Sequence, residues 1–68
     1  MGVYTVIELV GTSEISWEDA AKQVVENASK KLRDLRIAEI TKLDLKIEDG
    51  KPVVYRARVN VSFKYEGK

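Results

Sequence analysis

The 68-residue chain has no cysteine, no histidine, one proline, four glycines and only five aromatic residues: one tryptophan, one phenylalanine and three tyrosines. Without cysteine there is no disulfide, zinc-thiolate site or iron–sulfur cluster. Without histidine the commonest zinc ligand and the base with a pKa nearest neutrality are missing. Ser-His-Asp and Cys-His nucleophiles are excluded with them. No spacing of the remaining carboxylates, lysines and tyrosines nominates an acid–base pair, so the chain is not expected to be an enzyme. Charge of one sign is lacking too: twelve Lys+Arg against eleven Asp+Glu leave a net charge of +1. A phosphate-backbone binder normally carries a basic excess, so a nucleic acid is not an expected partner. No apolar run approaches the ~18 residues of a membrane span, and Met1-Gly2-Val3-Tyr4 has neither the basic nor the apolar region of a leader. A cytoplasmic location without a membrane partner is expected.

Residues 1–68 are read as one domain. At about 1.5 kcal/mol of ordering entropy per residue, folding must offset roughly 100 kcal/mol. A domain of this size buries only about 60% of its unfolded surface, and such chains usually need a staple. With disulfides and zinc–cysteine or zinc–histidine sites excluded, self-association remains.

Val3–Val10 is rich in β-branched and aromatic types and runs into Gly11-Thr12-Ser13, which predicts a strand and a turn. Val3, Ile7 and Leu9 fall on one face and Tyr4, Val6 and Val10 on the other, so both faces call for cover. Ser16 can cap a helix, with Asp19 three residues on as the acidic partner of a capping box. Trp17, Ala20, Ala21, Val24, Ala28, Leu32 and Leu35 then form one apolar stripe, predicting a helix of about 18 residues. Lys30, Lys31 and Arg33 fall in its last turns, where cations complement the carbonyl end.

Residues 37–47 and 53–65 read as two strands joined through Glu48-Asp49-Gly50-Lys51-Pro52. A three-residue loop ending at Gly50 would set Leu43, Leu45 and Ile47 on one face with Val53, Tyr55, Ala57, Val59, Val61 and Phe63. Lys42, Asp44, Lys46, Glu48, Arg56, Arg58, Asn60 and Lys64 make the opposite, charged face. The fold class is α+β in the order β-α-β-β, with the helix on the apolar face and strand ends overhanging it.

Val6-Ile7-Glu8-Leu9-Val10 leading into Gly11-Thr12-Ser13, one amphipathic helix, Ala38-Glu39-Ile40, and a last strand with Tyr55 and Val61-Ser62-Phe63-Lys64 resemble the dodecin family over nearly the whole chain. The resemblance implies a three-stranded antiparallel sheet curled round one helix and a hollow homododecamer. It also implies storage or quenching of flavins (FMN, riboflavin or FAD) without catalysis. Where flavin-binding members place a ring-stacking tryptophan stands Ile37. Where they place a glutamine beside the matching tyrosine stands Arg56, which has donors but no acceptor. The departures point to a branch with the shell and without the usual flavin pocket, a branch associated with calcium or magnesium.

The resemblance leads to the expectation of a homo-oligomeric shell that binds or sequesters a small molecule, a flavin or a related compound, between subunits, with Ile37, Arg56 and Arg58 as the candidate ligand-binding residues; the alternative is a structural or calcium- or magnesium-binding shell without flavin affinity. Arg56 and Arg58, two apart on one strand face, could fork onto a phosphate or carboxylate, or pair with acids such as Asp44. Glu39, in parity with the apolar face between Ile37 and Thr41, reads as a buried carboxylate needing an intersubunit cation or a metal. Glu39 and Asp44 are the metal candidates, since symmetry could multiply a single carboxylate into a site no linear motif shows. Trp17 reads as core or as a hydrophobic staple, with a relocated flavin stack as the alternative.

Overall fold

A computed structural model describes residues 2–65. Strand β1 (Tyr4–Ser13) leads to helix α1 (Trp17–Ala28), followed by β2 (Leu35–Glu48) and β3 (Lys51–Lys64). The sheet is antiparallel, in the order β1-β3-β2, which gives the expected β-α-β-β architecture. Every second residue of the central strand, Ala57, Val59 and Val61, is buried beneath Ala20 and Val24 of the helix. Ile7, Leu9, Ala21 and Leu35 pack round this cluster.

Gly11-Thr12-Ser13 is not a turn but the end of β1, paired with Ala57, Arg56 and Tyr55. Gly11 sits where the helix comes closest to the sheet. A Cβ there would collide with the Ala20 carbonyl oxygen and lie 2.6 Å from Val24 Cγ2. Only a residue without a side chain lets the strand run on beneath the helix.

The helix starts as expected and ends early. Ser16 caps it, its hydroxyl accepting from the Asp19 amide at 3.0 Å. Asp19 does not reach back to the Ser16 amide, which instead points to Ser13 Oγ at 3.4 Å. The Asp19 carboxylate accepts from Ser13 Oγ (2.6 Å) and from Gln23 Nε2 (2.9 Å). At the other end Asn27 Nδ2 donates to the Gln23 carbonyl and Ser29 Oγ to the Glu26 carbonyl. Such local side-chain bonds compete with continued helix. Twelve residues result, about 18 Å of helix rather than 27. Leu32 and Leu35 lie beyond the helix, and Lys30, Lys31 and Arg33 fall outside its last turn, which has no basic residue. Asp34, at φ 56°, turns the chain into β2.

The hairpin reaches the expected mid-strand parity, odd residues opposite odd ones, by a different loop and with the pairing displaced by two residues from that of a three-residue loop. Asp49 (φ 53°) and Gly50 (φ 74°) form a two-residue loop closed by Glu48 opposite Lys51, the left-handed pair that suits the twist of a hairpin. The register shifts between Lys46 and Ile47, where Val53 is the extra residue, and Ile47 faces Pro52 instead of Val53. Beyond this bulge Leu45 faces Tyr55 and Leu43 faces Ala57, as the apolar pattern requires.

Two further bulges, at Arg36 and Thr41, each flip the parity of β2. Ile37, opposite Ser62, and Glu39, opposite Asn60, consequently face away from the helix, while Ala38 and Ile40 face toward it. Helix α1 lies over β1 and β3 and barely touches β2. Ile40, Leu43 and Leu45 stay exposed on the helix side, and Tyr4, Val6 and Val10 on the other. The 51 Å long subunit thus carries uncovered apolar surface on both faces.

Gly11→Ala should lower stability by about 1–3 kcal/mol or more, because the added methyl meets backbone rather than a yielding side chain. Urea denaturation checks this; an unchanged midpoint would show that helix and strand can separate freely.

Candidate functional site

On the sheet face away from the helix, antiparallel pairing lines residues up in rows across the three strands. Thr12, Arg56 and Asp44 form one row, Val10, Arg58 and Lys42 the next, then Glu8, Asn60 and Glu39, then Val6, Ser62 and Ile37. Successive rows are about 7 Å apart along the strands. This face collects every residue named as a ligand or metal candidate from sequence.

Arg56 and Asp44 are directly opposed, and their side chains lock together. Arg56 Nε donates to Asp44 Oδ1 at 2.6 Å and Nη2 to Oδ2 at 2.9 Å, a forked pair that fixes both groups in plane. The hydrogen bond from Arg56 holds the Asp44 carboxyl below its ordinary pKa, aided by the positive charges of Arg56 and Arg58 and opposed by desolvation. In return Asp44 raises the Arg56 pKa above its usual value. Both carboxylate oxygens are thereby engaged, and Asp44 is a structural anion before it is a metal ligand. Arg58, half-buried between Val10 and Lys42, has no ion pair among the described residues.

Trp17 supplies a tie that sequence reasoning missed. Its Nε1 donates to the Asp44 carbonyl at 3.0 Å, and its ring meets Tyr55 edge-on, with centroids 5.1 Å apart at 81°. Helix start and second strand are joined behind the Asp44–Arg56 pair. The two residues lie 27 positions apart, so no local pattern signals the contact.

Other candidates are separated. Ile37 is 67% exposed and borders a cleft of about 210 Å³ with Val25, Leu35 and Val61. Its partner Ser62 lies six residues along β3 from Arg56, a distance of about 20 Å. Ile37 and Arg56 therefore cannot touch one small ligand within a subunit. Glu39 is exposed rather than buried, because the Thr41 bulge reverses its parity. The bulge is held in place by Thr41 Oγ1, which donates to the Arg58 carbonyl at 3.3 Å. Among the described residues no three carboxylates gather closely enough to hold a metal ion, and no helix is long and apolar enough to cross a membrane.

A short helix seated on a long three-stranded sheet, with its ionic residues on the far face and no complete site among the described residues, defines a small α+β subunit of the dodecin type. The dodecin family matches residues 3–66. The chain is 39% identical over 64 residues to calcium dodecin of Mycobacterium tuberculosis, covering 94% of this chain and 90% of that one. The crystal structure of that calcium dodecin, described as having a novel calcium-binding site, superposes with a TM-score of 0.86 at 36% identity, covering 97% and 94% of the two chains. Dodecin from Streptomyces coelicolor superposes with a TM-score of 0.91 at 33% identity, covering 98% and 96%. The chain belongs to the dodecin family.

The polar ties at this end of the molecule make stability pH-dependent. Asp19 is held below its ordinary value of 3.8 by hydrogen bonds from Ser13 and Gln23, and Asp44 by Arg56. A lowered folded pKa gives stability that is complete above the unfolded value and is lost as pH falls through the folded one. Denaturant midpoints should hold steady above about pH 5 and fall below about pH 4. Ser13→Ala, which removes the hydroxyl that donates to the Asp19 carboxylate, should make the acid limb shallower. A limb of unchanged slope would remove Asp19 from the account.

Proposed function

We propose that this chain assembles into a non-enzymatic homo-oligomeric shell, a homododecamer in the cytoplasm, which binds its ligand between subunits, and that the ligand is a divalent cation, calcium foremost, rather than a flavin. The separation of Ile37 from Arg56 supports a site between chains. These are the positions that match the family's ring-contacting residues, and they are about 20 Å apart in one subunit. The uncovered apolar residues of β1 and β2 supply the surface for assembly.

The Asp44–Arg56 pair supports the choice of ligand. A flavin ring needs a group that both donates and accepts, whereas Arg56 only donates and its fork is already taken by Asp44. Ile37 offers an apolar contact but no aromatic stacking. The described residues of one subunit also gather no set of carboxylates for a calcium ion, which takes six to eight oxygens. Glu39 and Glu8, exposed in one row with Asn60 between them, are the carboxylates left for sharing across an axis. The relative whose name specifies calcium is similar over most of the chain, which agrees with this reading.

Sedimentation at low micromolar concentration should give a particle about twelve times the 7.7 kDa subunit, and a stable monomer would refute the shell. Calorimetry with calcium should show saturable binding at fewer than one ion per subunit, weakened by Glu39→Gln. Riboflavin fluorescence should be unquenched by excess protein. Tight quenching without calcium binding would restore the flavin reading.

A further inference from the structure

The tip of the β2–β3 hairpin carries chemistry that depends on neither the shell nor the cation. The chain has four aspartates, and their settings differ. Asp19 and Asp44 are followed by Ala20 and Leu45, and their carboxylates are held by Ser13 and Gln23 and by the Arg56 fork. Asp34 is followed by Leu35, which packs against the core. Asp49 is followed by Gly50.

The Asp49-Gly50 loop lies beyond the Trp17–Asp44 tie, on a strand that the helix barely touches. Residues 45–53 are exposed. Among the described residues Asp49 forms no ion pair, and the Gly50 amide, between the paired Glu48 and Lys51, donates to no backbone acceptor. A Cβ added at Gly50 would meet nothing within 4 Å. An unengaged amide, an unengaged carboxyl group and a residue with no side chain to hinder their approach thus share a loop tip. At such a tip local opening costs little, and glycine lets the peptide between them rotate.

These groups are the reactants of an intramolecular condensation. The Gly50 nitrogen attacks Asp49 Cγ, the N–Cγ bond forms, and the hydroxyl of the carboxylic acid leaves as water with the amide proton. A succinimide ring results. Water then reopens it at either carbonyl. Attack at Cγ breaks the new bond and restores aspartate. Attack at the main-chain carbonyl breaks the original peptide bond instead, so the chain runs on through Cβ and Cγ and the main-chain carboxylate is set free. One water is lost and one regained, and no further reactant is needed. The second product adds a methylene to the main chain within a two-residue loop, where the left-handed pair at φ 53° and 74° closes Glu48 against Lys51.

We infer that Asp49-Gly50 is a self-modification site, at which the folded, assembled protein forms isoaspartate through a succinimide.

The test is incubation of the assembled protein in neutral heavy-oxygen water, then tryptic digestion in ordinary water and fragmentation by mass spectrometry. Each passage through the ring fixes one solvent oxygen in the residue. Asp49, within the tryptic peptide 47–56, should gain label at least about tenfold faster than Asp19, Asp34 or Asp44, and part of that peptide should elute as an isomer of identical mass. Gly50→Ala should slow the labelling by about tenfold or more, since a Cβ hinders the attack. Asp49→Asn keeps the residue pair this turn favours and serves if Gly50→Ala does not fold: it should release its amide as ammonia through the same ring. An unlabelled Asp49, equal labelling at the four aspartates, undiminished labelling in folded Gly50→Ala, or an amide that stays intact in Asp49→Asn would overturn the inference.

Discussion

The contact between Gly11 and the Ala20 turn of the helix sets the terms for the rest of the subunit. It brings α1 down onto β1 and β3 closely enough to seal Val59 and Val61, and so commits the helix to one side of the sheet. A helix of twelve residues is about 18 Å long, against about 46 Å for a strand of fourteen. The core is therefore one short patch beneath the helix, and β2 is left to find its cover elsewhere. The uncovered strands follow from this one geometric mismatch.

Much of this was legible in the sequence because it rests on periodicity. The β-α-β-β order, the Ser16 cap, the inward residues of β3 and the charged outer face all follow from two- and 3.6-residue repeats. What was not legible breaks those repeats. A bulge leaves no mark in a pattern of alternation, so Thr41 concealed the true direction of Glu39 and made an exposed carboxylate look buried. The loop at Asp49-Gly50 was misjudged for the same reason: parity demanded an odd residue, and the structure places it at Val53 rather than in the turn. The helix was overextended because Leu32 and Leu35 continue its stripe, whereas the side-chain bonds of Asn27 and Ser29 that end it compete locally and carry no period.

The outer face shows how pairing between neighbours assigns chemistry. Arg56 and Arg58 look alike in sequence, two apart on one strand. Opposite Arg56 stands Asp44, and the pair closes into a fork that leaves the carboxylate no free oxygen. Opposite Arg58 stands Lys42, and no such closure forms. A residue's availability on a sheet is decided by its cross-strand partner more than by its own type.

The bulges of β2 also bear on how copies of this chain can grow together. An edge strand with regular backbone groups is a template for further strands, and a subunit with apolar surplus and a flat edge would be inclined to extend without limit. Here the edge is kinked at Arg36 and again at Thr41, and the Asp44 carbonyl is already taken by the Trp17 indole. Ladder addition is interrupted along the strand, while the apolar side chains remain free to pack. Association is thereby steered away from fibrous stacking through the backbone and toward side-chain interfaces, the kind that can close on themselves and stop at a finite number.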